Sequence, residues 1–70
     1  MVALAENLKR YRKRAKMSQK QLADRIGISF PRISEIESGN GNPTVKTLEK
    51  IATALQVEPM DLLRKPKPKK

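Results

Sequence analysis

Two helix-start signals, at Ser18 and Ser29, stand close together in this chain, and a glycine lies just ahead of the second. Ser18-Gln19-Lys20-Gln21 is a capping box, in which the serine hydroxyl takes the Gln21 amide and the Gln21 side chain reaches back. The helix so begun carries Leu22, Ala23 and Ile26 and stops at Gly27, which takes a left-handed C′ conformation at little cost. Ile28 bridges a short gap to Ser29, a good N-cap. Pro31 falls in the first turn of the next helix, where a missing N–H is harmless. The spacing therefore predicts helices over 18–26 and 29–38 with almost nothing between them. Two capped helices that close must cross at a steep angle.

The rest of the chain reads as helix too, with no strand. Leu4, Leu8, Tyr11 and Ala15 recur on one helical face. Gly39 ends the third helix, and Asn40-Gly41-Asn42-Pro43 is a turn-rich connector. Thr44 caps a fourth helix whose stripe is Val45, Leu48, Ile51, Ala52 and Leu55, wide enough for the most buried helix of the set. Glu58-Pro59 opens a short fifth holding Met60, Leu62 and Leu63. The expected architecture is all-α, five helices in one domain over 1–64. Residues 65–70, Lys-Pro-Lys-Pro-Lys-Lys, are expected to form a basic disordered tail. A domain near this size buries roughly 60% of its unfolded surface, so dimerisation would help it.

Composition removes whole classes of function. With no Cys and no His, the chain lacks a disulfide, a thiolate nucleophile, a thiolate zinc site and the commonest general base. The seven acids are scattered, and Gly39-Asn40-Gly41 is a turn rather than a phosphate loop. No enzyme, cofactor or metal is expected. The apolar opening Met1–Ala5 is too short for a signal peptide core or a membrane span, so a cytoplasmic protein without membrane attachment is expected.

The formal charge of +9 is concentrated. Every charge from Lys9 to Lys20 is positive (Lys9, Arg10, Arg12, Lys13, Arg14, Lys16, Lys20), and Arg64, Lys65, Lys67, Lys69 and Lys70 form a second block. Such blocks attract polyanions. Nucleic acid is favoured over an anionic membrane, because a membrane-surface helix wants large apolar groups opposite its basic face and the chain holds one Phe, one Tyr and no Trp.

The stretch Met17-Ser-Gln-Lys-Gln-Leu-Ala-Asp-Arg-Ile-Gly-Ile-Ser, then Ile33, Glu37, Gly39, Asn42-Pro43 and Leu48…Ala52…Leu55, resembles the Cro/lambda-repressor-type helix-turn-helix family. The match runs from about Leu4 to Leu63. It implies a lambda-repressor-like five-helix domain with the helix-turn-helix at about 18–38. It also implies a third helix that enters the major groove of double-stranded DNA, usually as a homodimer on a palindromic site. The expected function is a sequence-specific transcription regulator of the small repressor, restriction-modification controller or antitoxin type. An antitoxin would also have a partner protein. The alternative is a protein-interaction module of the same fold with only non-specific DNA affinity.

Stepping 100° per residue along the third helix puts Pro31 and Glu35 opposite Ile33 and Ile36, with Arg32 beside them. The resemblance places base readers at Ser29, Phe30, Pro31 and Glu35. Phe30 suits a thymine methyl, Glu35 a cytosine amine, and Arg32 a guanine edge or a phosphate. For phosphate, Ser18 and Gln19 open the second helix, whose free amides favour anions, and the family uses this glutamine on the backbone. Asn40, Asn42 and Lys46 match the family's second clamp, while Arg14, Lys16 and Lys20 are added from charge alone. Glu37 falls near the packed side of its helix and needs a partner there. Arg12 flanks the first helix's stripe, and the family often pairs these positions, so Arg12–Glu37 is expected to be a structural ion pair. The dimer surface is expected at Met60, Leu62 and Leu63 with part of the fourth helix.

Overall fold

The structure, a computed structural model, describes residues 2–64. Five helices follow one another: α1 (Val2–Arg14), α2 (Gln19–Ile26), α3 (Phe30–Glu37), α4 (Val45–Leu55) and α5 (Pro59–Leu63). The described residues contain no strand, so the all-α, five-helix expectation holds. Residues 65–70, where a tail is expected, lie outside the described part.

Local chemistry sets most helix ends. The Ser18 hydroxyl accepts the Gln21 amide at 3.0 Å, and Gln21 Oε1 accepts the Ser18 amide at 2.8 Å. Both halves of the capping box are therefore made. Thr44 caps α4 by accepting from the Thr47 amide at 3.2 Å. Two ends were not foreseen. Lys16 and Gln56 adopt left-handed backbone (φ 59° each), and each is followed by an amide that closes the preceding helix: Met17 N–H to the Arg12 carbonyl at 3.1 Å, Val57 N–H to that of Ala52 at 2.9 Å. These are Schellman-type stops built without glycine, and a side chain in that region costs about 1–2 kcal/mol. Gln56→Gly should therefore raise stability by about 1 kcal/mol, measured as a shift in the urea midpoint at constant slope. An unchanged or lowered midpoint would mean that the Gln56 side chain stabilises the turn more than its backbone strains it.

Leu4 and Leu8 of α1, Leu22 and Ala23 of α2, Ile33 and Ile36 of α3, four residues of α4 and Leu62 of α5 form one buried cluster. Two residues of the expected apolar faces, Ala15 and Val45, do not join it, and α5 sends only one of its three large apolar side chains inward. Ala15 is exposed, because α1 stops at Arg14 and the chain turns through Lys16. Val45 is 71% exposed: it is the first residue of α4, where the apolar stripe has run past the core. Met60 is 70% exposed and Leu63 46%, against 0% for Leu62. A one-turn helix has room for a single inward position, and Leu62 takes it.

Asn7 is the unexpected buried polar residue. Its side-chain amide donates to the carbonyls of Leu62 at 2.9 Å and Arg64 at 2.5 Å, tying the middle of α1 to the open carbonyls at the end of α5. Three residues after Leu4 and four before Tyr11, Asn7 lies beside the apolar stripe, but its partners, at the far end of the chain, have no local signal.

Candidate nucleic-acid interface

The corner between α2 and α3 is closed by the Ala23 carbonyl, which accepts from the Gly27 amide at 2.9 Å and the Ile28 amide at 3.1 Å. Gly27 takes the left-handed conformation (φ 78°) this requires. The chain turns at once into α3, where the Ser29 hydroxyl accepts the Arg32 amide at 3.3 Å. Along α3, Ile33, Ile36 and Glu37 are buried, whereas Phe30, Pro31, Arg32, Ser34 and Glu35 are exposed. The result is a ridge with two apolar rings, one cation, one carboxylate and one hydroxyl, carried on a helix that packs through its opposite side.

The end of α3 is anchored to both neighbouring helices. Glu37 lies 2% exposed at its side chain and is gripped by Arg12, whose Nε donates to Oε2 at 2.5 Å and Nη2 to Oε1 at 3.1 Å. Arg12 Nη1 also donates to the Met17 carbonyl at 2.7 Å. Gln19 completes the set: its Nε2 donates to Glu37 Oε1 at 3.1 Å. Fork-to-fork geometry of this kind fixes direction as well as distance. The carboxylate of α3 thus holds the end of α1 and the start of α2 in one bracket. The Gln19 link joins residues far apart in the chain, and no local signal could have disclosed it.

The remaining expected contacts occupy defined places. Ser18 is exposed at the start of α2, and Lys20 is exposed within its first turn. Lys16 stands at the left-handed stop of α1. The Arg14 guanidinium sits over the Tyr11 ring, 5.6 Å from its centroid, a cation–π arrangement. Asn40, Asn42 and Lys46 are exposed along the α3–α4 connector and the first turn of α4. The connector is stitched to α3 through the Glu35 carbonyl, which accepts from the amides of Asn40 at 3.2 Å and Gly41 at 3.0 Å and from the Ser38 hydroxyl at 2.7 Å. Leu62 is removed from the expected dimer surface, since it is wholly inside. Met60 and Leu63 remain outside.

With this geometry in place, the match of a family model described as helix-turn-helix to residues 8–62 is decisive. The chain belongs to that family. The Cro/C1-type resemblance of the sequence is thus upheld. Relatives of this helix-turn-helix protein include the cryptic phage CTXphi transcriptional repressor RstR of Vibrio cholerae, 44% identical over 77% of this chain. Among solved structures, it resembles the biofilm master regulator SinR in complex with DNA, with TM-score 0.83 and 32% identity over 87% of this chain and 98% of that one. It also resembles the restriction-modification controller protein C.AhdI of Aeromonas hydrophila, with TM-score 0.83 and 31% identity over 87% of this chain and 92% of that one. The chain spans about half the length of the first curated relatives, 48% of RstR and 52% of the next. Among the described residues, no helix is long and apolar enough to cross a membrane and no acidic cluster could hold a metal ion.

Proposed function

We propose that this helix-turn-helix protein is a transcription regulator that reads double-stranded DNA by laying α3 in the major groove. The observation that carries the reading is the free ridge of α3. Phe30, Pro31, Arg32 and Glu35 stand outward, with Ser29 at the entrance, on a helix slim enough for a groove about 12 Å wide. In this reading Glu35 accepts from a cytosine amine, Phe30 packs on a thymine methyl and Arg32 forks onto guanine or a phosphate.

Phosphates lie to either side of the ridge. At the start of α2, Ser18 and Lys20 face the backbone together with Gln19. The Gln19 amide nitrogen has two hydrogens; one is given to Glu37, which leaves the other for a phosphate oxygen and a fixed direction in which to offer it. Across the groove, Asn40, Asn42 and Lys46 form the second clamp, and Arg14 and Lys16 add charge at the end of α1. Such contacts set position, while base contacts set sequence.

The regulator acts as a homodimer on a palindromic site with half-sites about 34 Å apart, and Met60 and Leu63 are the exposed apolar groups offered for pairing. A transcriptional repressor and a restriction-modification controller are named among the proteins it resembles, and regulators of these kinds are what it fits. Its basic residues 65–70 add non-specific attraction.

Selection from randomised duplexes, followed by binding over a salt series, tests the reading. The recovered duplex should bind on the order of 10³-fold more tightly than random duplex. Equal affinity for both would leave an interaction module with only non-specific DNA affinity. Glu35→Ala should change preference at one base position and leave the salt slope unaltered. A uniform loss on every sequence would show that Glu35 reads no base.

A further inference from the structure

Three cations of α1 have no place in the contacts described so far. Lys9, Arg10 and Lys13 are exposed, and none forms an ion pair among the described residues, where the pairs are Arg12–Glu37 and Arg64–Asp61. They are not scattered. Together with Glu6 they line a groove whose other wall is the end of α3, Glu37 through Gly39. On the helical wheel, Lys9 and Lys13 follow Ala5 and Arg12, and both of these are buried, with Arg12 bonded to α3. Lys9 and Lys13 therefore lie on the α3 side of α1. Next in the chain after Gly39 is exposed Asn40, the first residue of the connector clamp.

Like charges four residues apart weaken a helix, a small cost at Lys9 and Lys13 that Glu6, three residues before Lys9, and the end of α1 under Lys13 largely offset. Of the two acids in the groove, Glu37 is already neutralised by Arg12, and Glu6 offsets only one of the three cations. The field of the groove is positive, and it opens beside the elements that approach DNA.

We propose that Lys9 and Lys13, with Arg10 at the rim, form a further phosphate-binding surface that engages the DNA backbone beside the end of α3. The proposal rests on the major-groove reading of α3 and enlarges its footprint along the strand. Backbone contact here carries no sequence information, so the surface adds affinity to every duplex alike.

The test compares two charge-matched variants by fluorescence anisotropy on selected and random duplexes over a salt series. Lys9→Gln with Lys13→Gln removes the proposed contacts. Arg25→Gln with Lys50→Gln removes two exposed cations that line a different groove, between α2 and α4. All four side chains are exposed, so both variants should keep the wild-type melting curve. The α1 variant should flatten the slope of log K against log salt by about 2, equally on both duplexes, as the loss of two phosphate contacts requires. The control variant should change it much less. Equal flattening by both variants would show charge acting at a distance, and an α1 variant indistinguishable from wild type would show a groove that meets no DNA; either overturns the proposal. Should wild type fail to bind any duplex, the major-groove reading falls and this one with it. A normal preference for the selected duplex with an unmoved slope refutes this inference alone.

Discussion

Glu37→Ala should lower stability by about 3–5 kcal/mol, the cost of stranding a buried charge. For a domain of this size that is a fall in Tm on the order of 15–30 °C. The change removes the carboxylate that Arg12 Nε, Arg12 Nη2 and Gln19 Nε2 all address. It leaves a guanidinium only 11% exposed without its counter-charge. Thermal melts by circular dichroism measure the loss. The pairing itself is not the source of net stability, since well-packed apolar groups often replace a buried pair at no cost. Arg12→Met combined with Glu37→Leu should therefore recover most of what Glu37→Ala loses. A double variant as unstable as the single one would locate the loss in packing rather than in the unpaired charge. The recovered variant should still bind duplex more weakly than wild type, because Gln19 has lost the acceptor that aims it.

Gly41→Ala should cost about 2 kcal/mol, within the range for forcing extra volume into a packed site. A Cβ placed on Gly41 would lie 2.8 Å from the Ile36 nitrogen, Cα and Cγ1. Two of these are backbone atoms of α3, which cannot step aside as a flexible side-chain tip would. Relief must come from the connector, which then gives up the Gly41 amide bond to the Glu35 carbonyl. Asn40 and Asn42 would move with it, so affinity for all duplexes should fall as well. Gly39 differs. It holds left-handed backbone (φ 88°) with nothing within 4 Å of an added Cβ. Gly39→Asn, which tolerates that region, should cost far less. Urea midpoints of the two variants settle the contrast, and a Gly41→Ala midpoint equal to wild type would show that the connector yields freely.

How much was legible in the sequence follows from how far apart the cooperating residues lie. Ser18 with Gln21, Ser29 before Pro31 and Gly27 at a helix end are local signals. Each specifies a backbone feature within four residues, and the structure contains all of them. The outward aim of Pro31 and Glu35 followed from helical period alone. The exposure of Ala15 and Val45 did not, because a hydrophobic stripe says which side of a helix faces a core and is silent on where that core ends.

The sequence by itself determined the hydroxyl caps at Ser18, Ser29 and Thr44, the tight α2–α3 corner, the all-α fold and the concentration of positive charge along α1, since these depend on neighbours in the chain and on composition. Only the tertiary structure decided that Asn7 closes the end of α5, that Gln19 is aimed by Glu37, that Gly41 admits no side chain, and that Lys9 and Lys13 border the end of α3. Each of these joins atoms from separate helices, and such distances exist only once the core has fixed how the helices cross.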